Sequence, residues 1–266
     1  MKKQQQYDSL TLTEHPPWAK QFWADLEPLK ERIASHPLFN EMAAGTLDVA
    51  CFRHALLNFY PLVANFPHYM SLALSRAVDI RQPGILDTRD WLIGNIRIEQ
   101  RHLYWYRDWA IGFGITATDL DNVKPPAAMD AVNHYLWNMN QRASLAEAIA
   151  ATNLAIEWAT GEWSQKVVHG MRHYAKTGQA VIDRRTMAWL RAHAHYDDMH
   201  PHEAMELIKR LCVNDQDRDN ALQAAKRGME YYILALDECF RAHQGNATPH
   251  TKKHAEPLSG KTAVTQ

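Results

Sequence analysis

Apolar residues recur along this chain at three- and four-residue steps, and no run shows the sustained alternation of a half-buried strand. Phe22, Leu26, Leu29 and Ile33 form one such stripe and predict a helix over residues 18–35, opened by Pro16-Pro17 and broken at His36-Pro37. Phe52, Leu56, Phe59, Val63, Phe66 and Met70 predict a second over 48–78. Pro28 in the first and Pro61 and Pro67 in the second are expected to kink them. The turn Arg81-Gln82-Pro83-Gly84 leads to a third helix over 87–112, with Gly114 suited to its C-terminal cap. A loop over 116–126 and a fourth helix over 127–140 follow. Ser144, with Glu147 three residues on, reads as a capping box opening a fifth helix over 145–176. The sixth, over 183–212, contains Pro201, and the seventh covers 216–243. Short connections favour antiparallel neighbours. The expectation is an all-α fold, a compact seven-helix bundle in one domain over 1–244. A tail over 245–266, rich in Gly, Thr, Lys and Pro, carries no periodicity.

Charge and composition narrow the function classes. Lys+Arg 29 against Asp+Glu 30 gives a net charge of -1, so no cationic footprint for nucleic acid is expected. No stretch of 18 apolar residues suggests a membrane span, and the two lysines at the N-terminus precede no apolar run, so a cytoplasmic, reduced protein is expected. Cys51, Cys212 and Cys239 are odd in number and far apart, which excludes a disulfide scaffold and a CxxC zinc site. The 15 histidines direct attention to metal ligands.

Three segments place acids and imidazoles at ligand spacing. Glu99 and His102 stand three apart on the third helix, one way for a helix to present a carboxylate and an imidazole to one ion. His193, Asp197 and His200 lie within about 60° of one another at about 100° per residue. They are flanked by apolar Trp189, Leu190, Met205 and Ile208, so the helix that carries them packs into a core. Glu157 is the only acid in the run of small and apolar residues after Glu147, where a carboxylate either titrates high or pairs with a cation. Three carboxylates and three imidazoles without a thiolate suit iron or manganese better than structural zinc. His36, His54, His68, His134, His169 and His173 lie singly and read as hydrogen-bonded or exposed residues. The aromatic cluster Tyr104, Trp105, Tyr106 and Trp109 reads as core, or as the wall of a tunnel for an apolar substrate.

Three blocks carry a family resemblance: WLIGNIRIE at 91–99 with His102, AIAATNLAIE at 148–157 followed by ATGEWS at 159–164, and MAWLRAH at 187–193 with His200-Pro201. Over about residues 18–239 the chain resembles the UndA-type non-haem iron fatty-acid decarboxylases, which form terminal alkenes. More broadly it is similar to the haem-oxygenase-like di-iron oxidases, whose bundle is TenA- and PqqC-like. The resemblance implies a metal site of Glu99, His102, Glu157, His193, Asp197 and His200. It also implies two Fe(II) ions, dioxygen as co-substrate, an external reductant and electron donor, and a medium-chain fatty acid as substrate. A homodimer is expected from the same likeness. The decarboxylases carry small residues where this chain has Asn58, Phe59 and Trp158, so larger side chains there are expected to shorten or reroute the substrate tunnel.

Two other classes remain open. A di-iron oxygenase of the same fold could act on an amino-acid derivative, marked by a short pocket with a charged anchor; its para-aminobenzoate-forming variety needs a tyrosine and a lysine, where this chain offers Tyr60 and Val167. A metal-free TenA- or PqqC-like protein is the third class, and TenA-like hydrolysis needs a cysteine nucleophile.

Overall fold

The computed structural model describes residues 10–195 and 199–244, apart from the side chains of residues 195, 243 and 244. The described residues are all helical or connecting, with no strand among them. In chain order the helices are α1 (Pro17–Ala34), α2 (Pro37–Ala44), α3 (Val49–Arg76), α4 (Ile85–Gly112), α5 (Ala117–Asp121) and α6 (Ala127–Arg142). Then come α7 (Leu145–Ile149), a π-helical segment (Ala150–Leu154), α8 (Ala155–Lys176), α9 (Ala188–His195), α10 (His200–Leu211) and α11 (Asp215–Gln244). The tail read at 245–266 lies outside the described residues.

The all-α reading matches this architecture, but the bundle of seven is divided more finely. The break expected at His36-Pro37 is the start of α2: the His36 ring accepts from the Leu38 amide at 3.2 Å, and Gly45, at φ 71°, closes the helix. Eight residues are too few for a periodic stripe to stand out from its neighbours. Within the expected loop lies α5, opened by a Thr116/Asp119 capping box. The sixth predicted helix is two pieces, α9 and α10. Pro201 belongs to the first turn of α10, where a missing amide costs nothing. Pro28 lies within α1, and Pro61 and Pro67 within α3, and neither helix is broken at them. The Ser144/Glu147 capping box is present, and the helix it opens passes through the π-helical segment before continuing as α8.

Long helices α3 and α4 pack together, and α3 also meets α6. On the other side α8 packs against α1, α2 and α9, and α11 lies along α6 and α1. The apolar core between them is continuous. One packing detail shows how closely α2 and α8 approach: a Cβ on Gly170 would stand 2.0 Å from the Met42 carbonyl oxygen. Glu162, five residues past Glu157, turns away to α1, where Lys30 lies 3.5 Å off.

Candidate metal centre

Glu99 and His102 occupy the inward seam of α4. That seam runs through Trp91, Asn95, Glu99, His102, Tyr106 and Trp109 at three- and four-residue steps, and every one is buried. Two groups that water solvates strongly are thus set into a mainly aromatic surface, where they must find partners. His102 Nδ1 lies 3.2 Å from Glu99 Oε1. From α8 comes Glu157, 6% exposed, whose Oε1 accepts from Asn153 Nδ2 at 2.9 Å. Its Oε2 lies 3.0 Å from Nδ1 of His200, at the start of α10. His193 enters from α9: its ring stacks on the Trp189 indole at 3.8 Å and stands 4.6 Å from the His102 ring. His193 Nδ1 lies 2.9 Å from the Trp189 carbonyl oxygen. A carbonyl only accepts, so that nitrogen carries a proton, which leaves Nε2 as the atom of this ring that a metal would take.

The cluster therefore forms from four helices. Glu99, Glu157 and His200 each bring one ligand-capable atom within 4.8 Å of the others. His102 joins them through Glu99, and His193 through His102. Asp197, the sixth candidate, lies outside the described residues. Electrostatics agree with this convergence. Burial pushes the Glu99 carboxyl up, but positive charge on His102, and then on His193 and His200, outweighs it and holds the group below the usual carboxylate range. Glu99 is thus an ionised donor at neutral pH.

These residues fit a divalent ion. Bonds of about 2.1 Å place adjacent ligand atoms of an octahedral ion about 3.0 Å apart. The Glu157–His200 and Glu99–His102 separations, 3.0 and 3.2 Å, match that spacing. The donor set is oxygen and nitrogen without thiolate, and two carboxylates supply negative charge that a buried cation balances.

A mainly apolar cavity adjoins the cluster. Phe59, Phe66, Ile156, Trp163 and Tyr232 contribute to its walls, Glu99, Glu157 and His193 contribute polar groups, and no Lys or Arg lines it. Its volume is about 50 Å³. A water-sized group occupies about 10–15 Å³ on this measure, so about four such groups fit. Of the three positions expected to reshape a tunnel, only Phe59 lines the cavity. Asn58 is turned to His54, 2.9 Å away. Trp158 faces the other side of α8, edge-on to Trp23 at 4.5 Å with the Lys30 ammonium 5.0 Å from its ring. The aromatic cluster on α4 divides as well: Tyr106 and Trp109 are buried, Trp105 stacks on His102 at 5.5 Å, and Tyr104 is 61% exposed.

The three cysteines lie outside the cavity wall. Burial pushes the thiols of Cys51 and Cys212 up to about 12 and that of Cys239 up to about 11, the opposite of an activated nucleophile. Val167 is fully buried, and Tyr60 accepts from Arg107. Sequence reasoning missed Asn153. Its signal was present all the same: an amide four residues before the lone acid of an apolar run, the spacing at which helical side chains meet.

Residues 53–233 match the model of a haem-oxygenase-like family described as an iron-containing redox enzyme, and the chain belongs to that family. A TenA homologue from Pseudomonas syringae pv. tomato superposes with a TM-score of 0.78 at 33% identity, covering 88% of this chain and 100% of that one. A domain of unknown function with a haem oxygenase-like fold from Shewanella denitrificans superposes with a TM-score of 0.66 at 15% identity, covering 91% and 100%, a likeness of fold alone. An aminopyrimidine aminohydrolase from Halalkalibacterium halodurans is 23% identical over 150 residues, 56% of this chain. The chain spans 55% and 64% of the length of the curated relatives it matches. Among the described residues no helix is long and apolar enough to cross a membrane.

Proposed function

We propose that the cluster holds iron and that the chain is an oxygen-dependent oxidase of an apolar monocarboxylic acid of the medium-chain fatty-acid class, converting it to a terminal alkene and CO2. One observation carries this reading: paired acids and imidazoles stand against a cavity whose remaining walls are mainly apolar and carry no cation. Glu99 with His102, and Glu157 with His200, would hold the ions, with His193 and Asp197 completing the set. Iron bound there supplies the redox chemistry, with dioxygen as co-substrate and an external donor of electrons. The overall change balances when the acid loses two hydrogens and CO2, and dioxygen takes those hydrogens, two electrons and two protons to become two waters.

The chain's own groups do the positioning. A substrate carboxylate belongs at the cluster, because the described cavity wall offers no Lys or Arg to neutralise it elsewhere. The first carbons of the alkyl chain would lie among Phe59, Phe66 and Ile156, where each buried methylene contributes about 0.8 kcal/mol; a cavity of about 50 Å³ holds about four such groups, so the rest of a medium-length chain requires the walls to open. A mainly apolar wall also excludes water from the reacting carbons. The described wall holds no Lys or Arg to anchor the carboxylate of an amino-acid derivative, and it holds no cysteine for cysteine-based hydrolysis.

The test is anaerobic loading with Fe(II), measurement of bound metal, then exposure to dioxygen and reductant with saturated acids of eight to fourteen carbons, with alkene read in the headspace. Bound iron and an alkene at some chain length are expected. Iron without alkene at any length overturns the substrate, and failure to bind iron overturns the metal reading.

A further inference from the structure

Helix α7 reaches α8 through the π-helical segment Ala150–Leu154, a rare backbone form that concentrates at functional sites. Neighbouring helices hold it in place. Thr152 Oγ1 accepts from Asn140 Nδ2 at 2.7 Å. The Ala151 carbonyl lies so close to α11 that a Cβ on Gly228 would stand 3.2 Å from its oxygen. This segment delivers Asn153, 2% exposed, to the Glu157 carboxylate at 2.9 Å.

We propose that Asn153 is a positioning residue that orients the Glu157 carboxylate for the metal centre. The inference rests on the reading that the cluster binds metal. A carboxylate rotates freely about its last bond unless one oxygen is held. The Asn153 N–H occupies Oε1, so Oε2 is the oxygen directed at His200 and the rest of the cluster. An amide suits this task better than a charged donor. Its nitrogen lone pair is delocalised, so the donor nitrogen neither binds a cation nor titrates. A lysine there would add positive charge beside the ion, and a second carboxylate would repel Glu157. The π-helical segment has a direct consequence in this account: it fixes the residue that holds the ligand, one step removed from the ion.

The test uses Co(II) as the probe, titrated into the full-length metal-free protein and followed by its visible absorption. Asn153→Leu keeps the approximate shape and removes the donor. Asn153→Gln restores an amide donor on a longer arm. The Leu variant is expected to bind Co(II) about 10–100-fold more weakly, with altered visible bands and an unchanged helical circular dichroism signal. The Gln variant is expected to recover affinity to within a few-fold of wild type. If the Leu variant does not fold, Asn153→Ala against Asn153→Gln makes the same comparison. Donor-free variants that bind like wild type overturn the inference. A Gln variant as weak as the donor-free ones also overturns it, because packing rather than the hydrogen bond is then responsible. Wild type failing to bind Co(II) removes the metal reading itself, and this inference with it.

Discussion

Phe59→Ala tests whether the cavity sets substrate length. Phe59 is 5% exposed on α3, lines the cavity, and packs edge-on to Tyr232 at 6.3 Å and against Phe39 at 6.1 Å. Removing its ring opens space for about three to four methylenes. At about 0.8 kcal/mol each, a longer chain filling that space gains about 2.5–3 kcal/mol, close to a hundredfold in relative affinity. The preferred acid should lengthen by about three to four carbons. Without a ligand, the same truncation should cost about 3–5 kcal/mol of stability, part of which a fitting acid restores. Trp163 and Trp189 both line the cavity, so their fluorescence reports occupancy. A ladder of saturated acids, titrated against wild type and variant, gives the affinities, and thermal unfolding with and without the preferred acid gives the stability. An affinity optimum at the same chain length in both proteins would refute the idea that this ring limits the substrate.

Two further outcomes concern stability. Glu206 on α10 accepts from the Thr13 amide at 2.9 Å and lies 2.6 Å from Lys209 and 3.2 Å from Arg210. Burial raises its pKa, but these partners lower it further, from 4.5 to about 2. A depressed acid contributes its stability in full above the ordinary value and loses it as pH falls toward the depressed one, here about 3 kcal/mol draining between about pH 4.5 and 2. Glu206→Gln should therefore lose about 2–3 kcal/mol at pH 7 and show a flatter stability profile over that window. Urea unfolding at a series of pH values checks this, and parallel profiles would contradict it. Gly170→Ala would drive a methyl into the Met42 and Ala43 carbonyls. The expected cost is about 3 kcal/mol and a melting temperature lower by about 6–12 °C, and a shift below 2 °C would show that α2 yields without cost.

Much of the architecture was legible in the chain. Periodic stripes located the long helices, because burying one face imposes a helical repeat on the sequence itself. Ser144 and Glu147 announced their cap, since a capping box is a contact between residues three apart. The acids and imidazoles of the candidate centre stood out for a related reason: Glu99 with His102, and Glu157 alone among apolar neighbours, are anomalies of local pattern.

Other features depended on partners distant in sequence. Trp158 adjoins Glu157 in the chain, yet it faces Trp23 and Lys30, while Phe59, 98 positions before Glu157, shares the cavity with it. The pairing of Glu157 with His200 links residues 43 apart. The π-helical segment that carries Asn153 lies against Asn140 and α11, and no local propensity marks it. Residue order alone thus determined the helical class and the chemical identity of the candidate donors, because periodicity and composition are local properties. Which donors meet, which side chain holds Glu157 and how much room lies beside them were decided only when the helices packed, because helical period sets the face a residue occupies but not the neighbour that face meets.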